Sequence, residues 1–299
     1  MSGDKRCGTI AIIGAPNTGK STLLNAVVGT KLSIVTPKVQ TTRSRVLGIA
    51  IKGDAQLIFV DTPGIFVPKR RLDRAMVAAA WAGAADADVV VALVDAARGC
   101  DGDTLRILDW LTGSKRRAIA AINKIDVVKH ETLLPLADEI GRSYAFERVF
   151  MISSIDGDGV GDLTDYLAAA VPAGPWLYPE DQLTDLPQRL LAAEITREQI
   201  FLQLHQELPY ATMVETEAWE ERKDGSVKIT QNIHVRRVGQ KAIVLGKGGS
   251  QLKRVGEASR LELERVLGRR VHLFLHVRVS EDWPEDRANY EAIGLDFME

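Results

Sequence analysis

Short apolar segments alternate with helix-like stretches over residues 9 to 171 of the chain. Six of these segments have the length and β-branched character of strands: Thr9–Ile13, Val46–Ile51, Gln56–Val60, Asp88–Val94, Arg117–Ile122 and Arg148–Ile152. The alternation predicts an α/β fold built from βαβ units around a mostly parallel sheet, with ligands bound at the carboxyl ends of the strands. The gap between the second and third segments is too short for a helix, so these two strands are predicted to pair antiparallel.

A proline-rich stretch separates this region from a different pattern. Four prolines lie between Val171 and Arg189, which favours an extended linker over residues 173–188. The elements expected after it are a helix at Arg189–Gln206, strands at Ala211–Ala218 and Val227–Arg236, a helix after a glycine-rich loop, a strand at Val271–Val279 and a last helix. We therefore predict an α/β domain over residues 1–172 and a smaller α+β domain over residues 189–299.

The net charge of −2 over 299 residues conceals an uneven distribution. Between Arg236 and Arg278 the chain carries eleven Lys or Arg and three Glu, whereas the last residues are acidic. A basic block inside a folded domain indicates a polyanionic partner, although a solvated charged face would have the same composition.

Cysteine usage and hydropathy indicate a soluble cytoplasmic protein. Cys7 and Cys100 are the two cysteines and lie far apart, which favours a reducing compartment without a disulfide framework. No signal-like segment precedes Thr9. The longest apolar stretch, Ala75–Val94, is interrupted by two aspartates and is better explained by a helix followed by a strand than by a membrane span.

The first predicted strand leads into a loop that fits G-x-x-x-x-G-K-[ST] and opens a helix. Backbone N–H groups of such a loop surround phosphates beside a helix N-terminus. Lys20 is expected to contact the β- and γ-phosphates as a catalytic cation, and the Ser21 hydroxyl to bind Mg²⁺. The predicted phosphate-binding residues are Gly14, Ala15, Pro16, Asn17, Thr18, Gly19, Lys20, Ser21 and Thr22.

Two further segments are predicted to complete the phosphate and metal site. The third predicted strand ends in Asp61, Thr62, Pro63 and Gly64, followed by Ile65. An acid at this position can hold Mg²⁺, and the Gly64 amide can contact the γ-phosphate. The polar segment Gln40-Thr41-Thr42-Arg43 has the character of a switch, in which Thr42, or Thr41 as the alternative, closes over Mg²⁺ and the γ-phosphate.

A third loop is predicted to identify the base. Asn123, Lys124 and Asp126 follow the fifth predicted strand and fit N-K-x-D. The Asp126 carboxylate can accept hydrogen bonds from guanine N1–H and N2, which adenine does not offer, and such a site can discriminate by about 10⁴-fold. Ser153 and Ser154 follow the sixth strand and offer backbone donors toward guanine O6.

A glycine-rich loop in the C-terminal region predicts a nucleic-acid site. Gly246, Lys247, Gly248 and Gly249 form a GxxG sequence that follows an apolar run, and Lys253 and Arg254 lie in the next helix. In KH domains such a loop lets a single-stranded backbone approach closely while bases enter an adjoining apolar groove. A lone GxxG would also be explained by a turn between helices.

Taken together, these motifs resemble the Era family of GTPases, and the resemblance covers nearly the whole chain. The matching segments are GAPNTGKS, QTTR, DTPG, NKID, the stretch from Tyr178 to Glu198, Gly239-Gln240-Lys241 and Val271-His272-Leu273. The resemblance implies a P-loop GTPase domain followed by a type II KH domain, with binding of GTP, GDP and the 3′ end of 16S ribosomal RNA. It further implies a role in 30S subunit maturation, a monomeric state and peripheral association with the inner membrane.

Two other functions are compatible with parts of the same sequence. A metabolic P-loop kinase would share the phosphate loop, but the N-K-x-D motif and the lack of an evident acceptor-substrate domain disfavour it. A membrane-associated GTPase could use the basic C-terminal domain to bind anionic lipid instead of RNA. Binding to single-stranded RNA and to anionic vesicles distinguishes these alternatives.

One position departs from Ras-like GTPases and generates a prediction. Those enzymes carry a Gln after the DxxG glycine to orient the attacking water, whereas this chain has Ile65, so slow intrinsic hydrolysis is expected. Asn17 resembles the Asn that binds potassium in GTPases lacking this Gln. We expect K⁺ to accelerate GTP turnover relative to Na⁺, and equal steady-state rates in the two salts would contradict the hypothesis.

Overall fold

The computed structural model describes residues 5–38, 41–43, 45–204 and 208–281, together with residues 283, 287, 290 and 295–297. Contacts divide the chain into two compact units. The first contains the sequence up to Ser33 and Thr42–Asp185, with a short piece from the C-terminus, and the second contains Ile34–Thr41 and Leu186–Ile293. Gln40 of the predicted switch and most of the predicted last helix lie outside the described residues.

Within the described residues, the first unit is built on a six-stranded sheet of order β2-β3-β1-β4-β5-β6. Its strands are β1 Arg6–Gly14, β2 Val46–Lys52, β3 Ala55–Asp61, β4 Val89–Asp95, β5 Ala118–Asn123 and β6 Val149–Ile152. All neighbouring pairs are parallel except β2 and β3, which pair antiparallel. The mostly parallel sheet with one antiparallel strand is therefore confirmed.

Helices cover both faces of this sheet because alternate strand residues face opposite sides. They are α1 Lys20–Val28, α2 Arg71–Asp86, α3 Gly102–Ser114, α4 Leu133–Ser143 and α5 Val160–Ala170. Ile10 and Ile12 of β1 pack in a core with α1 and α5, whereas Ala11 and Ile13 pack with α2 and α3 on the other face. The loops that leave β1, β3 and β5 consequently meet at one edge of the sheet.

The predicted linker does not form a separate segment, because residues up to Asp185 lie with the first unit. The fully buried Gln56 side chain holds this segment. Its Oε1 accepts from the backbone N–H groups of Leu177 and Tyr178 at 2.9 and 3.0 Å, and its Nε2 donates to the Tyr178 carbonyl at 2.8 Å. Prolines prevented regular secondary structure here, but they did not prevent packing.

The second unit has the α+β order expected of a type II KH domain. The order is α6 Gln188–Gln203, β7 Met213–Glu221, β8 Val227–Val235, α7 Val238–Leu245, α8 Ser250–Leu267 and β9 Val271–Val279. β8 pairs antiparallel with β7 and parallel with β9. Apolar residues of α6 and α8 pack against this sheet, including Ile195, Ile200, Val255 and Leu263.

No helix among the described residues combines the length and apolar character needed to cross a bilayer.

Gln56→Ala should lower the free energy of unfolding by about 2–4 kcal/mol, because three backbone groups lose their buried partner. Urea denaturation followed by tryptophan fluorescence measures the change, since Trp176 lies in the held segment. Gln188→Ala, at an exposed position, is the control. Equal stability of the two variants would show that Gln56 does not anchor the segment.

Candidate nucleotide site and nucleic-acid interface

The phosphate loop is a tight turn between the end of β1 and the start of α1. Its backbone enters the left-handed region at Asn17, with φ of 64°, and at Gly19, with φ of 97°. A Cβ at position 19 would lie 2.3 Å from Nδ2 of Asn123, so only glycine fits there. The loop therefore curls closely enough for successive N–H groups to face a phosphate.

Lys20 lies at the centre of this loop and is almost completely buried. Its ammonium group donates to the carbonyl oxygens of Gly14 at 3.0 Å and Ala15 at 2.9 Å. Burial lowers the pKa of Lys20 to about 8, the Asp61 charge opposes that shift, and Arg98 and Lys124 add to it. A buried ammonium among other cations is suited to bind a polyanion.

Asp61, at the end of β3, accepts hydrogen bonds from the hydroxyl groups of three other segments. Its Oδ2 accepts from Ser21 Oγ and Ser33 Oγ, both at 2.7 Å, and from Thr42 Oγ1 at 3.5 Å. Among the described residues, its buried Oδ1 has no hydrogen-bond partner. Burial raises the pKa of Asp61, and the three hydroxyls and Lys20 oppose that shift.

This cluster has the chemistry of a divalent-cation site. The predicted metal-binding residues Ser21, Thr42 and Asp61 are brought together, and the Ser21 and Thr42 hydroxyl oxygens lie 2.8 Å apart. Hard oxygen donors of this kind are the ligands that Mg²⁺ prefers. A cation would also compensate the negative charge on Asp61 Oδ1, the buried oxygen without a hydrogen-bond partner among the described residues. The Thr41 hydroxyl instead contacts Thr36 Oγ1 at 2.7 Å and the Lys38 carbonyl at 2.8 Å.

Ser33 was not identified from the sequence. It lies in an irregular segment after α1, where Asn25 positions it. Asn25 Oδ1 accepts from the N–H of Ser33 at 2.9 Å, and its Nδ2 donates to the Ser33 carbonyl at 2.7 Å. A polar residue near the end of a short helix is a common pattern, so no motif distinguishes Ser33 in the sequence.

The predicted base-binding loops are joined by one buried amide. Asn123 Nδ2 donates to the Thr18 carbonyl at 2.7 Å, and its Oδ1 accepts from Ser154 N at 3.0 Å and Ser154 Oγ at 2.9 Å. The Ser154 N–H, expected to face guanine O6, is therefore directed to Asn123 in this structure. Ser153 is buried beside it.

The two charged members of the N-K-x-D motif lie at the surface side of this junction. Lys124 Nζ pairs with Asp95 Oδ2 at 2.6 Å, which fixes the lysine stem, and Asp126 is exposed. Asp95 was missed by sequence reasoning, although its place at the end of β4 next to Asn123 of β5 was available from strand order. The exposed Asp126 carboxylate is open to a base.

Ile65 contributes a backbone N–H group to the site but no polar side chain. Its side chain is buried in the core with Ala11 and Ile13, and its N–H donates to the Gly14 carbonyl at 3.0 Å. Thr62 is also structural, since its hydroxyl donates to the Ile12 carbonyl at 2.9 Å. Neither Thr62 nor Ile65 therefore offers a side chain that could orient water.

In the second unit, the GxxG loop lies between α7 and α8 and is exposed at Lys247 and Gly248. A groove of about 660 Å³ runs from the loop along α8 and β9. It is lined by Gly249, Leu252, Lys253, Gly256, Glu257, Arg260, Leu273, Phe274 and Leu275. The apolar floor suits bases and the basic rim suits phosphates, as expected for single-stranded nucleic acid.

Sequence reasoning identified the loop and the exposed Lys253 and Arg254, but it missed the wall of the groove. Phe274 projects from β9 with 47% of its surface exposed. Gly256 of α8 lies close to this wall, because a Cβ at position 256 would contact the Leu275 side chain at 3.4 Å. Residue alternation on the last predicted strand could not have indicated this wall, because Phe274 and Leu275 are neighbours and alternation assigns neighbours to opposite faces.

The sheet, the loops at its edge and the second unit define a P-loop GTPase joined to a KH domain. The sequence profile described as "50S ribosome-binding GTPase" matches residues 9–124, and the KH domain profile matches residues 207–284. The chain is 56% identical to GTPase Era of Mesorhizobium japonicum, covering 97% of this chain and 94% of that protein. It is also 56% identical to GTPase Era of Caulobacter vibrioides, with 98% and 97% covered.

Two solved Era structures also match nearly the whole chain. An Era variant of Aquifex aeolicus bound to GDP and aluminium fluoride superimposes with a TM-score of 0.91 at 39% identity, covering 97% of this chain and 99% of that one. An Era complex with MgGDPNP and nucleotides 1506–1542 of 16S ribosomal RNA gives 0.91 at 38% identity, with the same coverage. The chain belongs to the Era family, and it is a GTPase.

The low pKa of Lys20 predicts proton uptake when GDP binds. Phosphate stabilises the ammonium form, so the pKa rises in the complex and affinity falls as pH increases through about 8. Calorimetry in buffers of different ionisation enthalpy should detect clearly more proton uptake at pH 8.5 than at pH 7.

The matched variant for this measurement is Lys20→Arg, whose guanidinium stays charged throughout this range. GDP binding by this variant should occur without proton uptake. Absence of uptake by the unmodified protein at pH 8.5 would contradict the assignment.

Proposed function

We propose that this protein is a GTP-controlled RNA-binding switch that binds the 3′ end of 16S ribosomal RNA and assists maturation of the 30S subunit. The observation that carries the proposal is the combined GxxG loop and groove in a chain that also holds a nucleotide site. The Era complex with nucleotides 1506–1542 of 16S ribosomal RNA, which matches nearly all of this chain, supports the choice of RNA.

Mg²⁺ is the proposed cofactor, as in the related complex with MgGDPNP. Ser21, Thr42 and Asp61 would hold it, and it would neutralise phosphate charge during hydrolysis. Asp61 fits this role because its second carboxylate oxygen is buried without a hydrogen-bond partner among the described residues. Potassium binding at Asn17 stays a prediction.

The remaining roles follow from the position of each group. Lys20 offsets negative charge at the β- and γ-phosphates, and the loop N–H groups fix their orientation. We assign the Gly64 N–H to the γ-phosphate, since Gly64 packs so closely on the loop that a Cβ would lie 3.0 Å from Pro16 Cα. The exposed Asp126 carboxylate selects guanine.

Contacts of the segment Ile34–Thr41 support nucleotide control of the RNA-binding unit. This segment belongs to the second unit, where Lys38 Nζ donates to the carbonyls of Phe201 and Leu204 at the end of α6. The Val35 N–H donates to Glu198 at 2.9 Å.

The residues on either side of this segment, Ser33 and Thr42, both contact Asp61. Release of Thr42 after hydrolysis would therefore be transmitted along the chain into the second unit.

Gly248→Asp tests the RNA-binding proposal. Gly248 has φ of 59°, so a side chain strains the loop, and the new carboxylate repels phosphate. Affinity for an oligonucleotide with the 3′ sequence of 16S ribosomal RNA should fall at least tenfold, about 1.4 kcal/mol, in fluorescence anisotropy. GDP affinity should not change.

Gly225→Asp is the matched control, because Gly225 also has positive φ, at 80°, and open space around its Cα. It lies in the β7–β8 turn, beside the start of β9 and therefore about 25 Å from the loop along α8. Unchanged RNA affinity in Gly248→Asp would refute RNA binding through the GxxG loop. Loss of binding to anionic vesicles instead of RNA would favour the lipid-binding alternative.

A further inference from the structure

Arg98 lies in the loop between β4 and α3, outside every motif described above. Its Nη1 donates to the carbonyl oxygen of Pro16 in the phosphate loop at 2.8 Å. Its Nη2 forms an ion pair with Asp101, which caps α3 by accepting from the Thr104 N–H at 2.8 Å. The Arg98 N–H also donates to the Asp95 carbonyl at 3.1 Å. Both terminal nitrogens of the guanidinium therefore have a partner, and the Arg98 backbone is held as well.

The contact with the Pro16 carbonyl fixes the orientation of the whole peptide group between Pro16 and Asn17. The Pro16 carbonyl and the Asn17 N–H belong to one planar trans peptide, so they point in opposite directions. Asn17 holds a left-handed conformation, with φ of 64°, which non-glycine residues rarely adopt. A charge-assisted hydrogen bond to the carbonyl side stabilises this peptide orientation and polarises the N–H on the other side.

The surroundings place this peptide at the phosphate end of the site. Pro16 packs against Gly64 of the DxxG segment, and its carbonyl accepts the hydrogen bond from Arg98. The Arg98 charge also acts on Lys20, whose pKa it helps to lower. Ile65, in contrast, supplies no polar group for hydrolysis.

We propose that Arg98 is a positioning residue for GTP hydrolysis. Held by Asp101, it orients the Pro16–Asn17 peptide so that the Asn17 N–H faces the phosphates, and it adds positive charge near the leaving group. Water attacks the γ-phosphorus, and the bond from that phosphorus to the β–γ bridging oxygen breaks. The electron pair remains on GDP, and the water proton passes to the phosphate product.

Arg98→Gln should lower kcat about 10- to 100-fold, with KM and GDP affinity changed less than about threefold. Affinity for GDP with aluminium fluoride, which imitates the transferring phosphoryl group, should fall by the same factor as kcat. Arg98→Lys keeps the charge and should recover part of both losses. Single-turnover hydrolysis and binding of a fluorescent GDP with and without aluminium fluoride measure these effects.

Asp101→Asn tests the anchoring separately, because Asn also caps helices well but removes the ion pair. It should give a smaller loss of kcat than Arg98→Gln, in the same direction. Arg106→Gln is the matched control, since Arg106 pairs with Asp103 on the same helix at 2.7 Å. It should hydrolyse GTP at the unmodified rate and have the same melting temperature as Arg98→Gln.

Two outcomes would overturn the proposal. The first is a kcat for Arg98→Gln equal to that of Arg106→Gln. The second is an equal loss of affinity for GDP with and without aluminium fluoride, because Arg98 would then support only ground-state binding.

Discussion

The carboxylate of Asp61 lies buried at the end of β3, and one of its two oxygens accepts from hydroxyl groups of three separate segments. Burying a carboxylate is costly unless its charge is compensated. The hydroxyls provide part of that compensation, and Lys20 provides a nearby positive charge. The phosphate loop, the irregular segment after α1 and the switch threonine are consequently held around one acidic group. A bound cation would complete the compensation, which couples the order of these segments to the nucleotide.

Much of the first unit could be predicted because its signals are local. Apolar β-branched segments identified every strand of the sheet, and the short gap before β3 identified the antiparallel pair. The phosphate loop was recognisable because its tight turn requires glycine, and phosphate binding requires lysine, at fixed spacing before a helix. The bounds of α6 differed, since the predicted helix continued to Gln206 and the observed one ends at Gln203.

The residues that were missed act over long sequence separations. Ser33 contacts Asp61, Gln56 holds Tyr178, and Arg98 contacts Pro16. Each depends on two segments far apart in sequence meeting in the fold, which no local periodicity encodes. The placement of Ile34–Thr41 with the second unit was missed for the same reason, since its partners are carbonyls and side chains of α6.

Asn123 gives the nucleotide site a property that none of its motifs has alone. One amide side chain joins the Thr18 carbonyl of the phosphate loop to Ser154 beside the base loop, some 105 residues from the first and 31 from the second in sequence. Filling either half of the site therefore reduces the freedom of the other half. Guanosine and pyrophosphate, offered as separate molecules, would assist each other's binding, and the intact nucleotide benefits because both halves are ordered together.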